Sequence, residues 1–462
     1  MNASAAEREE LEKSRLRLRE SVEQTAAGLK LDLPKGDGRY AISPLRRGAR
    51  RRLDDPVGLL TLIRTEGGVL TWQEGPAAAP LSGRRGFRRG ALPDVSGEVI
   101  KRVPYVKVLK LNEVSKHLVD LDKYLNKEAF LEDKAGNLRR WTADNGLQSG
   151  SEPPSVDKPS LVFVHGTFSS SDYLVKDLEK IEEATHFRQE AAKVYGPNIF
   201  AFDHPTLSVS PVLNALDLAR KFAHVKAPVD VICHSRGGLV VRWWLEVIAP
   251  DPARRGRVVM VGSPLAGTSL ASPANLRASL DFFTNVGHAL EMTGTAASLV
   301  APFMAVPVGL LRVINSVLGV GAKTPLIDAV VAMIPGLAGQ SRVANNFELN
   351  RLRDKSLPMP EYHVIQSQFK PPPVHWWKFW DYFKNNRMAH WGADFLFKEA
   401  NDLVVDTDSM SDFIEGQTFS PPQVKAFVYD FGQSETVHHT NYFQQKETAE
   451  FIIKKVLKAR AP

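Results

Sequence analysis

The sequence predicts an α/β fold: a mostly parallel central sheet interleaved with helices, interrupted by a helical cap insertion and preceded by a small N-terminal β-rich domain. Three observations carry this. Val229-Asp-Val-Ile-Cys-His-Ser-Arg-Gly-Gly-Leu-Val-Val-Arg242 turns directly from a β-branched apolar run into a helix with a serine at the corner. Apolar runs beginning at Pro159, Asn198, Val258 and Tyr362 have the length and composition of buried strands. Between about Tyr40 and Leu111, short β-rich runs such as Leu59–Arg64 and Gly68–Trp72 alternate with Gly, Pro and Arg clusters, as in a small antiparallel unit.

In chain order, Ser4 to Arg15 is a charged helical pattern, and residues 1–30 are read as an N-terminal helix. It lacks the apolar core of a secretory signal, so a cytoplasmic protein is expected, with peripheral membrane contact or signal-free export as alternatives. Residues 31–142 form the β-rich domain, with one amphipathic helix at Asn112–Leu125 marked by Val114, Leu118, Leu121 and Leu125. Gly, Ser, Pro and Asp dominate 143–158, which is read as a linker. Residues 159–462 form the α/β domain, with insertions at 269–341 and 370–398. At 462 residues the chain is long for one core, and 43% hydrophobic with 24% charged residues is ordinary for a globular protein.

The strand-to-helix corner is a variant of the G-x-S-x-G nucleophile elbow, with Ser235 as candidate nucleophile and Cys233 in place of the first glycine. Gly237 and Gly238 suit a helix that starts close to neighbouring strands. An elbow serine needs a base, an acid and donors for a developing oxyanion. Ser160-Leu-Val-Phe-Val-His-Gly-Thr167 is a strand running into His-Gly, so the amide of Thr167 pairs with that of Arg236 as the candidate oxyanion hole. Asp402, in Asn-Asp-Leu-Val-Val-Asp, is the first candidate acid and Asp406 the second. His439, three residues before Tyr442 and on the loop entering the last helix, is the first candidate base and His438 the alternative. His165, His204 and His234 are read as structural, and Cys233 as buried packing.

The order Ser235, Asp402, His439 resembles that of the α/β-hydrolase superfamily, and residues 159–459 look like a bacterial lipase or esterase. Val258-Val-Met-Val-Gly-Ser-Pro-Leu-Ala-Gly267 resembles the loop after the elbow in that family, with Ser263 and Leu265 as departures. The resemblance implies a serine hydrolase acting on carboxylic esters, with an ester or lipid substrate. A membrane-acting phospholipase and a membrane-associated scaffold with a degenerate hydrolase fold are the alternatives.

The formal charge of +7 owes much to Arg46–Arg52 and Arg84–Arg89, which read as solvated loops or contacts with anionic headgroups, and no specific nucleic-acid partner is expected. The single cysteine excludes an intrachain disulfide. No metal-ligand spacing and no phosphate-binding glycine pattern occurs, so no cofactor and no metal is implied. Met292–Leu311 carries no charge, but Pro302, Pro307, Gly294 and Gly309 interrupt it, which favours a helical lid over a membrane span. Lys370–Phe383 is dense in aromatics and is read as a core cover or an interfacial wall. Oligomeric state is not legible in the chain.

Overall fold

The computed structural model describes residues 57–65, 70–74, 97–106, 111–132, 136–142, 146–150, 152–179, 181–251, 255–271, 284, 310, 334–342, 346–354, 359–369, 401–402, 404–414 and 427–460. The N-terminal helix, both arginine runs, the aromatic insertion and nearly all of Met292–Leu311 lie outside these residues. The chain divides into two compact units: 1–120 with 277–330 and 375–390, and 121–276 with 331–374 and 391–462.

In the first unit, β1 (Val57–Thr65), β2 (Leu70–Glu74) and β3 (Gly97–Val106) form an antiparallel sheet of order β2-β1-β3. Successive side chains of a strand face opposite ways, yet Leu62 and Ile63 are both fully buried, so both faces of β1 are covered. Of the expected cap at 269–341, residues 272–283, 285–309 and 311–333 lie outside the described residues. Residues 277–330 group with the N-terminal strands, and the Trp72 indole donates to Thr284 Oγ1 at 3.0 Å within the same unit.

The second unit opens with the end of α1 (Leu111–Leu125), whose buried stripe is Val114, Leu118 and Leu121. Its sheet contains β4 (Leu138–Thr142), β5 (Gly146–Gln148), β6 (Ser160–Val164), β7 (Ile199–Phe202), β8 (Val229–His234), β9 (Arg255–Val261), β10 (Glu361–Phe369) and β11 (Val428–Ser434). The order is β11-β10-β9-β8-β6-β7-β4-β5, parallel throughout except where β4 pairs with β7 and β5. The sheet therefore begins at Leu138, inside the expected β-rich domain, and β5 lies in the expected linker. The reason is a buried charge: Arg139 of β4 reaches Asp172 at 2.6 Å and Asp203 at 3.2 Å, a partnership a short Arg-rich strand does not advertise.

Helices α2 (Ser171–Glu179), α3 (Glu182–Tyr195), α4 (Pro211–Lys221), α5 (Gly237–Arg242), α6 (Pro335–Ala338), α7 (Phe347–Leu352) and α8 (Lys446–Ile452) flank the sheet. Side-chain alternation splits the core in two. Val162, Val164, Val231 and Cys233 pack with α4 and α5, whereas Leu161, Phe163 and Ile232 pack with α2, α3 and α8. This is the α/β-hydrolase fold. The chain leaves β6 in opposite directions, to β7 on one side and through β8 to β11 on the other, so a crevice is expected outside the carboxyl ends of β6 and β8. Among the described residues, no helix is long and apolar enough to cross a membrane.

Candidate functional site

Segments that follow β6, β8, β10 and β11 meet there. Ser235 follows β8 with φ of +53°, a left-handed conformation rare outside glycine, while its amide donates to Val261 O at 2.8 Å. The strain holds because the surroundings leave no room to relax. A Cβ on Gly237 would lie 2.5 Å from Val164 O, and one on Gly238 2.4 Å from Ser263 Oγ, so both glycines are required. Cys233 is tolerated at the preceding glycine position because it is fully buried in the core beside Val259 O, and burial pushes its thiol up, keeping it protonated.

Ser235 Oγ lies 2.9 Å from His439 Nε2, and His439 Nδ1 lies 2.8 Å from Asp402 Oδ2. A carboxylate only accepts, so the imidazole carries its proton on Nδ1 and presents Nε2 as acceptor to the serine hydroxyl. The backbone reinforces the pairing: His439 N–H donates to Asp402 O at 2.9 Å, and His234 Nε2–H donates to His439 O at 2.9 Å. Asp402 Oδ1 accepts the amides of Val404 and Val405 at 3.1 and 2.8 Å. Tyr442, expected only as an apolar spacer, donates its buried hydroxyl to Asp402 Oδ2 at 3.0 Å.

The alternatives lie elsewhere. Asp406 accepts Ser269 Oγ at 3.0 Å and pairs with Arg342 at 3.1 Å. His438 Nδ1 meets Thr440 Oγ1 at 3.0 Å, its ring stands edge-on to Phe369, and burial lowers its pKa to about 4. Burial likewise depresses His165, His204 and His234, so these rings are neutral at neutral pH.

The His-Gly-Thr loop after β6 crosses directly over the serine: a Cβ on Gly166 would lie 2.5 Å from Ser235 Cβ. Among the described residues, neither the Thr167 amide nor the Arg236 amide has an intramolecular acceptor, which leaves two donors available beside the nucleophile. The Thr167 hydroxyl exchanges hydrogen bonds with the Gln340 amide, at 2.9 Å from Nε2. The fully buried Arg236 guanidinium donates to Val209 O at 2.6 Å, with its pKa lowered to about 10 by burial and its charge retained. No group of three His, Cys, Asp or Glu side chains among the described residues is arranged to hold a metal.

Tyr442, Gln340, the α1 residue Asp122 and Asn126 just after α1 were not visible as site residues in the sequence, because each acts through a partner 39 or more positions away. Asn126 is 39 positions from His165 and Gln340 is 173 from Thr167.

Residues 131–457 match the profile of a family described as "Domain of unknown function (DUF7379)". The chain belongs to that family. No curated protein matches it. Among solved structures it is similar to the mature lipase BlEst2 of Bacillus licheniformis, with 16% identity, a TM-score of 0.34, and coverage of 69% of this chain and 96% of that one. It is also similar to lipase 1 of Pelosinus fermentans, at 13% identity and a TM-score of 0.35, covering 65% of this chain and 96% of that one. Phospholipase PlaB of Legionella pneumophila gives 13% identity and 0.33, covering 55% of this chain and 46% of that one. At these scores the likenesses carry no functional inference.

Proposed function

We propose that this family member is a serine hydrolase that cleaves carboxylic esters through an acyl-enzyme. The observation that carries the proposal is the continuous relay from Ser235 Oγ through His439, at 2.9 Å, to Asp402, at 2.8 Å. A degenerate scaffold has no reason to retain a strained serine, an oriented imidazole and a four-coordinate carboxylate together.

Ser235 Oγ attacks the ester carbonyl carbon while its proton passes to His439 Nε2, and Asp402 stabilises the imidazolium that results. The negative charge that develops on the carbonyl oxygen is held by the amides of Thr167 and Arg236. Collapse breaks the bond to the alcohol, which leaves with the proton from Nε2. Water, deprotonated by the same nitrogen, then attacks the acyl carbon, and Ser235 recovers its proton as the acid departs.

The preference for an apolar acyl chain rests on the uncharged run Met292–Leu311. The ester class stands on the site alone. Purified protein should hydrolyse p-nitrophenyl esters across a chain-length panel, and Ser235→Ala should abolish turnover while its melting temperature stays within a few degrees. Equal turnover by Ser235→Ala and wild type would refute the proposal.

A further inference from the structure

We propose that the end of α1, outside the residues that match the family, is a built-in scaffold for the oxyanion loop, with Asn126 as the residue that fixes the aim of the Thr167 amide through His165. The inference rests on the proposed hydrolase reading.

The peptide unit joining Gly166 to Thr167 is one rigid plane, with its C=O and N–H pointing in opposite directions. Whatever holds the Gly166 carbonyl therefore aims the Thr167 N–H. His165 Nδ1 lies 2.9 Å from Gly166 O, and a carbonyl only accepts, so Nδ1 carries the proton. The other ring nitrogen must then be an acceptor, and both groups within hydrogen-bond distance of it are donors, Asn126 Nδ2 at 3.0 Å and the His204 amide at 3.1 Å, with the acceptor Asp203 Oδ1 farther off at 3.7 Å. Asn126 is itself held in register, since the same amide nitrogen donates to Asp203 Oδ1 at 2.9 Å. The Gly166 carbonyl at one nitrogen and the donors at the other thus favour the same tautomer of His165, and Asn126 both donates to Nε2 and occupies Asp203 Oδ1.

A second prop comes from the same helix end. Asp122 accepts the amides of Thr206, Leu207 and Ser208 at 2.7 to 3.2 Å, and also the Thr206 hydroxyl at 3.2 Å. Thr206 Oγ1 in turn accepts the Phe168 amide at 3.2 Å, and Phe168 is left-handed at φ +59°. The peptides on both sides of Thr167 are therefore braced by one helix end, which precedes the family match at residue 131. Asn126 and Asp122 are positioning residues, acting on the reacting atoms only through others.

The test combines histidine nitrogen NMR with a double-mutant cycle. In wild type, His165, assigned by its disappearance in His165→Asn, should show the Nδ1–H tautomer, and Asn126→Ala should shift it toward Nε2–H. Asn126→Ala should lower kcat about tenfold, the worth of one hydrogen bond, with KM within about twofold. Affinity for a boronic-acid transition-state analogue should fall by the same factor. In the His165→Asn background, where the replacement amide can donate to Gly166 O and has no tautomer to select, Asn126→Ala should leave kcat unchanged. Equal losses in both backgrounds would overturn the inference, as would an Nε2–H tautomer in the wild type, which is read without any variant. If wild type neither hydrolyses esters nor accepts a fluorophosphonate, it is the proposed function that fails, and the tautomer measurement still decides whether Asn126 selects the state of His165.

Discussion

Replacing Asp402 by Asn tests the relay at the point where the structure leaves the new side chain least choice. The amide has one acceptor and one donor end. Oδ1 of the native carboxylate faces two backbone amides, Val404 at 3.1 Å and Val405 at 2.8 Å, which cannot turn away. Oδ2 faces His439 Nδ1 at 2.8 Å and the Tyr442 hydroxyl at 3.0 Å, and both can adapt, one by changing tautomer and the other by rotating. Turning the NH2 toward Val404 and Val405 would strand the buried Val405 amide, at about 1 to 3 kcal/mol, and the part-buried Val404 amide as well, so the NH2 faces His439 instead. His439 then accepts at Nδ1 and carries its proton on Nε2, which leaves the Ser235 hydroxyl without an acceptor. In the template serine protease such a tautomer trap costs roughly 10⁴ in kcat, about 5 kcal/mol of barrier, and a similar loss is expected here. Steady-state hydrolysis of a p-nitrophenyl ester measures it, with circular dichroism melting as the control for folding. A folded Asp402→Asn variant retaining kcat within about tenfold of wild type would refute the reasoning.

Three further outcomes are expected. His439→Ala should lose a thousandfold or more in kcat, as loss of a base does in other serine hydrolases, whereas His438→Ala and Asp406→Asn should stay within several-fold; the reverse ranking would reassign the base and acid. Gly262→Ala should lower both melting temperature and kcat, because φ is +55° there and the new Cβ would lie 2.9 Å from Tyr442 Cε2 and 3.1 Å from Asp402 Oδ2; wild-type activity would show that the site yields more than these contacts allow. The melting temperature should fall as pH drops from 6.5 toward 4, because His438 has its pKa lowered from 6.5 to about 4, and buried His165, His204 and His234 are depressed as well. In that window the unfolded chain takes up protons that the folded chain refuses, so stability is present above the unfolded pKa and lost below it. A flat melting temperature from pH 7 to 5 would contradict the burial of these rings.

Local signals carried the parallel sheet and the three relay residues: β-branched runs of strand length, a serine at a strand-to-helix corner, and a histidine just before the last helix. What they could not carry was anything decided by a distant partner. β4 was read with the N-terminal strands because the partners that bury Arg139, Asp172 and Asp203 among them, are distant in sequence. Tyr442 passed for an apolar spacer because its value lies in one hydroxyl aimed at Asp402. β11, a strand with exposed and half-buried positions next to its one neighbour β10, lacks the continuous apolar run that marked the inner strands.

The most direct test of the central claim is where a fluorophosphonate becomes attached. Intact-mass and peptide analysis of the treated protein should find one adduct per chain, on the peptide containing Ser235, formed in wild type and absent in Ser235→Ala. An adduct on any other residue, or labelling that persists in Ser235→Ala, would contradict the assignment of Ser235 as the nucleophile.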